Sequence, residues 1–269
     1  MGTFSIAIGP GIGDAIITKS LLLNLQSNPI NVEVYPSLLT CRGPNYKSFI
    51  DEFDQTVFSE SPFRFHTSSI GAKFRSHWEM HEDGFKPSQI SLADRLCKGK
   101  SIGGTYACLN MKVRLWDFDA FIKIADVFAK EILSLSKRVK LVLMGERTVE
   151  MNEEYVHHKD IFSLYPLLPS MNVLDLTVPA LGIAAPSMVS LCQDCKYMAE
   201  SRAAINVGYG GNSVLSAVVA PKTIILAARS LSCNVLNLAN QQSSPLLKGL
   251  DRGVRICNNE TFPSALNDV

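Results

Sequence analysis

The chain opens with an apolar strand that runs into a glycine turn and then into an amphipathic helix. This first glycine turn carries Gly9, Gly11 and Gly13 and ends in a carboxylate, Asp14. In α/β proteins such a turn lies at the carboxyl end of a parallel strand, where backbone N–H groups and the helix N-terminus bind ligands. Asp14 is therefore a candidate site residue. The alternative is structural, because an Asp at a helix start can accept hydrogen bonds from N–H groups two or three residues further on.

Apolar segments of strand length alternate with helical patterns along much of the chain. The spacing predicts strands at residues 4–8, 31–35, 55–59, 105–110, 139–144, 172–176, 203–207 and 222–226, and helices at residues 14–26, 46–52, 118–134, 187–201 and 213–219. This alternation is typical of parallel βαβ units. A double glycine at 103–104 separates two such runs. We predict an α/β fold of two facing Rossmann-like domains, an N-terminal one at residues 1–103 and a C-terminal one at residues 104–269.

Composition excludes several classes of function. The formal net charge is +1, which provides no basic excess for binding nucleic acid or an acidic membrane surface. No apolar run reaches the roughly eighteen residues of a membrane span, and no basic-then-apolar leader opens the chain. Seven cysteines, an odd number scattered among apolar segments, fit reduced thiols better than a disulfide framework. We expect a cytoplasmic protein without a transmembrane segment.

A C-x-x-C motif, Cys192 and Cys195, lies within a predicted helix. A zinc site needs further ligands at suitable spacing, and the nearest candidates, His157 and His158, are adjacent residues in a polar loop. A thioredoxin-like site would place the motif at a helix start just after a strand. We therefore predict that both cysteines are structural and that the chain holds no metal.

The first glycine turn departs from the dinucleotide-binding fingerprint. Asp14 occupies the place of the third glycine of G-x-G-x-x-G, and no acidic residue ends the second predicted strand at Tyr35. A carboxylate in that place would also repel a pyrophosphate. These departures argue against a nicotinamide or flavin enzyme.

A second glycine turn, at residues 208–213, enters a helix without any acidic residue. Its backbone N–H groups and two polar side chains are candidate donors to a phosphate, from Gly210, Gly211, Asn212 and Ser213. The ordinary interpretation is that a lone glycine turn is only a turn.

Two cations precede the helix predicted at 118–134. Lys112 and Arg114 would neutralise a diphosphate if their loop opens on the same cleft as the second glycine turn. A Lys-x-Arg pair is otherwise a solvated edge. In the functional interpretation one domain supplies a base, Asp14, and the other supplies a diphosphate cradle.

The segment Gly11-Ile-Gly-Asp-Ala-Ile-Ile-Thr-Lys-Ser-Leu-Leu resembles the N-terminal glycine–Asp turn of the heptosyltransferase-like glycosyltransferases. That family has the GT-B fold of two facing Rossmann-like domains. The block at residues 112–125 is similar to the family's Lys/Arg-containing loop and the following helix, and the blocks at 142–146, 172–177 and 203–217 follow in the family's order. The second glycine turn differs from the family's usual Asp-Ser/Thr-Gly-x-x-His pattern, so the transferred sugar stays open.

The resemblance implies a glycosyltransferase that moves a sugar from a nucleotide-diphosphate sugar to an acceptor hydroxyl, with inversion and without a metal or other cofactor. Asp14 would act as the general base. Lys112 and Arg114, together with the second glycine turn, would stabilise the leaving diphosphate. The expected partners are the nucleotide sugar as co-substrate and a hydroxyl-bearing glycan or glycoconjugate as acceptor. A non-catalytic nucleotide or nucleotide-sugar binding module is the alternative.

Overall fold

Two parallel β-sheets organise the chain. The computed structural model describes residues 3–9, 11–24, 31–36, 43–59, 63–66, 75–76, 92–111, 124–146, 148–151, 154–157, 165–178, 186–208, 210–226 and 253–269. The strands of the first sheet all lie before residue 77, and those of the second all lie after residue 105. The predicted boundary between residues 103 and 104 falls between the sheets, and the limits of the two domains stay a prediction.

The first sheet is built from short strands joined by two long helices. Its elements are β1 (Thr3–Ala7), α1 (Ile12–Asn24), β2 (Asn31–Tyr35), α2 (Gly43–Phe58), β3 (Arg64–Phe65) and β4 (Arg75–Ser76). The four strands pair in parallel in the order β3-β2-β1-β4. On α2 the buried residues Ile50, Phe53 and Val57 recur at the helical period, so one face of this helix joins the core.

The second sheet is larger. The remaining elements are α3 (Leu92–Leu96), β5 (Tyr106–Asn110), α4 (Ala125–Ser136), β6 (Lys140–Met144), β7 (Thr148–Met151), β8 (Glu154–His157), a 3₁₀ helix (Tyr165–Ser170), β9 (Val173–Asp175), α5 (Met188–Glu200), β10 (Ala204–Val207), α6 (Gly211–Val219), β11 (Thr223–Leu226), β12 (Val254–Cys257) and α7 (Phe262–Leu266). Six strands pair in parallel in the order β12-β11-β10-β5-β6-β9, and β7 pairs with β8 as an antiparallel hairpin. Every residue of β5, β10 and β11 is buried, as expected for a parallel sheet covered on both faces.

The order of the strands identifies the fold. In the second sheet the chain starts at β5 in the centre, proceeds to β6 and β9 on one side, and returns to β10, β11 and β12 on the other. This is the 3-2-1-4-5-6 order of Rossmann sheets. The first sheet follows the same order over its four strands. The predicted α/β fold with two Rossmann-like units is confirmed.

The strand predicted at residues 55–59 is wrong, because the chain is helical there and α2 continues to Phe58. Thr56 and Val57 have the β-branched side chains that strands favour. However, Phe53 and Val57, one helical turn apart, are both fully buried, whereas Gln55 is exposed. Burial at the helical period outweighs the local preference for a strand.

Two helices begin earlier than the sequence predicts. α1 begins at Ile12 and α6 begins at Gly211, so both helices start inside their glycine turns. As a result, residues of each turn supply N–H groups of the first helical turn, which lack partners within a helix. α4 begins at Ala125, and residues 118–123 of the predicted helix lie outside the described residues.

One hydrophobic cluster joins the two sheets. It contains Ile6 and Val34 from the first sheet and Ala204 and Ile225 from the second. α1 packs on α6, and α3 packs on both α5 and α6. A second cluster fills the other side of the large sheet, with residues from α4 and α7. None of the helices that the structure describes has the length and apolar character to cross a membrane.

Candidate functional site

Asp14 lies in the first turn of α1 and folds back over the first glycine turn. Its Oδ2 atom accepts a hydrogen bond from the backbone N–H of Gly11 at 2.9 Å. A Cβ atom on Gly9 would lie 2.6 Å from Asp14 Cγ, so the folded-back carboxylate needs a glycine at that position. This contact is the half of a capping box in which an acidic residue reaches back to the N-terminal N–H.

Asp14 does cap the helix start, and it does so by reaching back three residues to Gly11, a direction that the sequence prediction did not include. A carboxylate offers about four acceptor positions, so the hydrogen bond from Gly11 does not by itself saturate it. The cap is compatible with a second role for the same group.

Each sheet has a point at which the order of the strands reverses. In the first sheet this point lies between β1 and β4, and in the second it lies between β5 and β10. In open α/β sheets, ligands bind outside the carboxyl ends of the strands at such a point. The first glycine turn follows β1 and the second glycine turn follows β10, so both turns lie at the places where this fold binds ligands.

Hydrogen bonds within the second glycine turn and to the neighbouring strand β11 fix its backbone. Gly208 has a φ of +74°, a conformation that glycine adopts readily, and its N–H donates to the carbonyl of Leu226 at 2.8 Å. The Ser213 hydroxyl donates to the carbonyl of Gly208 at 2.9 Å, and Ser213 is only 2% exposed. The Ser213 side chain thus braces the turn from inside. The backbone N–H groups of Gly211 and Asn212, in the first turn of α6, are the better donors toward an anion.

The two glycine turns meet. A Cβ atom on Gly13 would lie 3.0 Å from the Cα atom of Gly211, and one on Gly211 would lie 2.9 Å from Cγ1 of Ile12. Such distances are too short for side chains, so the backbones of α1 and α6 touch at their N-terminal ends. The structure therefore brings together the predicted site residues Gly11, Gly13, Asp14, Gly210, Gly211, Asn212 and Ser213.

Lys112 and Arg114 lie outside the described residues, but the chain is described up to the residue before Lys112. The N–H of Met111 donates to the carbonyl of Met144 at 3.0 Å, which continues the pairing of β5 with β6. The predicted cation loop thus starts at the carboxyl end of β5. This strand borders the same reversal point as β10, from which the second glycine turn starts.

Three buried polar residues of the second sheet were not predicted from the sequence. Asn110 ends β5, Asn206 lies opposite it in β10, and Ser216 belongs to α6. Asn110 Nδ2 donates to Asn206 Oδ1 at 2.8 Å and to Ser216 Oγ at 3.3 Å. The only available signal was an asparagine near the end of each of two otherwise apolar strands.

The C-x-x-C motif lies within α5, as predicted. Cys192 and Cys195 are free thiols, and burial raises the pKa of the Cys195 thiol well above its ordinary value. A thiol of that kind is a poor nucleophile. Within the described ranges, no group of three or more His, Cys, Asp and Glu residues is arranged to hold a metal ion.

No protein-family model matches the sequence, and no curated protein matches it. Among solved structures, the chain is similar to the dodecameric iron-containing glycosyltransferase TibC of enterotoxigenic E. coli, with 12% identity, a TM-score of 0.49, and coverage of 83% of this chain and 57% of that chain. The chain thus spans 57% of the length of TibC.

The chain is also similar to E. coli ADP-heptose lps heptosyltransferase II, with 13% identity, a TM-score of 0.45, and coverage of 100% of this chain and 97% of that chain. A third similar structure is E. coli heptosyltransferase WaaC with ADP-2-deoxy-2-fluoro heptose, with 10% identity, a TM-score of 0.45, and coverage of 99% of this chain and 97% of that chain.

Proposed function

We propose that this chain is a GT-B-type glycosyltransferase that transfers a sugar from a nucleotide-diphosphate sugar to an acceptor hydroxyl. The observation that carries the proposal is the contact between the two glycine turns, in which a Cβ on Gly13 would lie 3.0 Å from Gly211 Cα. It places a carboxylate at the reversal point of one sheet beside an acid-free helix N-terminus at the reversal point of the other. A transfer reaction needs both groups, a base for the acceptor and a positive region for the leaving diphosphate.

Asp14 is assigned the role of general base. It accepts the proton of the acceptor hydroxyl while the acceptor oxygen forms a bond to the anomeric carbon of the donor. The bond between that carbon and the diphosphate oxygen breaks, and its electron pair leaves with the nucleoside diphosphate. Attack from the side opposite the diphosphate inverts the anomeric carbon. The contact of the two turns supports this assignment, because it brings a carboxylate of one unit close to the acid-free helix N-terminus of the other.

The leaving diphosphate is assigned to the second glycine turn. The N–H groups of Gly211 and Asn212 lie in the first turn of α6, where the helix dipole favours negative charge. Lys112 and Arg114 follow β5 in the sequence, and the proposal assigns them to the same diphosphate as further positive charges. This set meets the charge of a diphosphate, so the proposal assigns no metal and no further cofactor.

The acceptor is proposed to be a hydroxyl-bearing glycan or glycoconjugate, and the reaction is assigned to the cytoplasm. The free thiols of Cys97, Cys108, Cys192, Cys195 and Cys257 support a reducing compartment.

A second candidate function is a non-catalytic nucleotide or nucleotide-sugar binding module. The hydrogen bond from the N–H of Gly11 to Asp14 Oδ2 favours it, because this bond gives the carboxylate a structural task that needs no chemistry. The two candidates make the same prediction for nucleotide binding. They differ in the consequence of removing the charge of Asp14.

The experiment that tests the proposal has two steps. A thermal-shift screen of nucleoside diphosphates and nucleotide sugars first identifies a donor, because a ligand that binds only the folded state raises the melting temperature. Transfer and donor hydrolysis are then measured for the wild type and for Asp14→Asn. The asparagine carbonyl can still accept from the N–H of Gly11, so we expect an intact fold and donor affinity. We expect turnover to fall by about a hundredfold or more, the scale for losing a general base.

Asp51→Asn is the matched control, because Asp51 lies on α2 in a half-buried ion pair with Lys47 at 2.8 Å. We expect this variant to keep its turnover. Near-normal turnover of Asp14→Asn would exclude the catalytic role, and donor binding without any turnover in the wild type would favour the binding module.

A further inference from the structure

We propose that Asn110, Asn206 and Ser216 form a positioning cluster that holds the first turn of α6, the proposed phosphate-binding end of this helix, against the ends of β5 and β10. The inference rests on the proposed function, because it concerns the residues beneath the second glycine turn. None of the three side chains faces solvent, and Ser216 is fully buried. They act through the backbone that they hold rather than through contact with a ligand.

The cluster lies near the carboxyl ends of the two strands that border the reversal point. Asn110 is the last residue of β5. Asn206 lies opposite Asn110 in the register of β10, and Gly208 of the second glycine turn follows two residues later. A hydrogen bond between the two asparagines therefore joins β5 to the strand from which the second glycine turn emerges.

A chain of hydrogen bonds continues from the strands into the helix. Asn110 Nδ2 donates to Asn206 Oδ1 at 2.8 Å and to Ser216 Oγ at 3.3 Å. The Ser216 hydroxyl donates to the carbonyl of Asn212 at 2.7 Å. Asn212 belongs to the first turn of α6, whose N–H groups are the proposed phosphate donors. Buried hydrogen bonds in series reinforce one another, because the local dielectric is low.

The neighbouring strands show that polarity is confined to this point of the sheet. Asn110 pairs in register with Met144 of β6 on one side, and Asn206 pairs with Ile225 of β11 on the other. Met144 and Ile225 are both buried and apolar. Of these four register-matched positions, only the two that border the reversal point carry amides. Packing alone would favour apolar residues at all four positions.

The cluster also carries an unpaired donor. Asn206 Nδ2 is buried and has no hydrogen-bond partner among the residues that the structure describes. Leaving a buried amide N–H unpaired costs free energy that an apolar side chain of similar size would avoid. Native proteins break local rules of this kind mainly at functional sites. The unpaired donor, next to the junction of β5, β10 and α6, is therefore evidence that the amide serves the site rather than stability.

The test uses inorganic pyrophosphate as the probe, with binding to the full chain measured by isothermal titration calorimetry. Ser216→Ala removes the link to Asn212, and Asn206→Leu removes the link between the strands. Ser136→Ala is the matched control, because the buried Ser136 hydroxyl donates to a helix carbonyl of α4, that of Leu133, away from the cluster. The melting temperature of each variant is measured in parallel.

We expect Ser216→Ala to weaken pyrophosphate binding by about three- to tenfold, the range of one hydrogen bond's net contribution. Ser136→Ala should keep wild-type affinity, even if it lowers the melting temperature as much as Ser216→Ala does. Equal affinity of the wild type and Ser216→Ala for pyrophosphate would overturn the inference. If Asn206→Leu does not fold, this comparison alone is the test. Failure of the wild type to bind pyrophosphate would instead count against the proposed diphosphate site.

Discussion

At the residue scale, the structure places a carboxyl group in the core, close enough to Asp14 to feel its charge. Asp54, on α2, is 1% exposed, and within the described part of the chain neither of its oxygens has a hydrogen-bond partner. Burial raises the pKa of this carboxyl well above its ordinary value, and the charges of Asp51 and Asp14 raise it further. The folded state therefore binds a proton at Asp54 more tightly than the unfolded state does.

Because of this difference in proton binding, the contribution of Asp54 to the free energy of unfolding falls as the pH rises. For a carboxyl whose pKa is raised by folding, proton binding contributes favourably to the free energy of unfolding. This contribution is fully present below the unfolded pKa, which is near 3.8, and is lost as the pH rises through the folded pKa. We predict that Asp54→Asn raises the free energy of unfolding at neutral pH, because the amide, unlike the carboxyl, requires neither the burial of a charge nor the uptake of a proton. The gain should shrink as the pH falls toward 4.

The measurement is urea unfolding of the wild type and Asp54→Asn between pH 4 and pH 8. Asp94→Asn serves as the control, since it removes an exposed carboxylate on a different helix, α3. If the free energy of unfolding changes with pH to the same extent in the wild type and in Asp54→Asn, the account of Asp54 is contradicted.

At the scale of elements, the contact between α1 and α6 depends on two glycines. A Cβ on Gly13 would lie 3.0 Å from the Cα atom of Gly211, and backbone atoms cannot rotate away. Alanine is favoured over glycine inside a helix by about 1 kcal/mol, so propensity alone predicts that Gly13→Ala stabilises the protein. Overpacking typically costs about 1–3 kcal/mol, and here it also separates the two halves of the proposed site.

We therefore predict that Gly13→Ala lowers both the free energy of unfolding and the affinity for a nucleoside diphosphate. Gly253→Ala is the control, because a Cβ at that position would meet only Lys222 Cγ at 3.9 Å, an ordinary contact. The measurements are thermal unfolding and calorimetric titration of both variants. A Gly13→Ala protein that is more stable than the wild type and binds equally well would show that the helices separate without consequence.

The elements also show how far the sequence allows prediction. Strands such as β2 and helices such as α5 follow from hydrophobic period and are found within one or two residues of the predicted bounds. The two glycine turns and Asp14 were predicted as site residues from local pattern alone. The contact of Gly13 with Gly211 joins residues about two hundred positions apart, so no local pattern reports it. The amide pair of Asn110 and Asn206 likewise requires the register of two strands that are distant along the chain.

At the scale of the whole molecule, the two Rossmann-like units are joined by a common hydrophobic cluster and by helix packing. Residues of β1 and β2 share this cluster with residues of β10 and β11, and α1 packs on α6. A shared core fixes the position of one glycine turn relative to the other. The carboxylate of one unit and the helix N-terminus of the other are therefore held at one place by packing, as the proposed transfer reaction requires.

The measurement that tests this central claim most directly is a crystal structure of the chain with a nucleotide-diphosphate sugar chosen from the thermal-shift screen. The account predicts the diphosphate at the second glycine turn, with its oxygens about 2.7–3.2 Å from the N–H groups of Gly211 and Asn212. It also predicts that the anomeric carbon faces Asp14, with the diphosphate on the opposite side. A diphosphate bound at the first glycine turn, or a sugar that lies away from Asp14, would contradict the account.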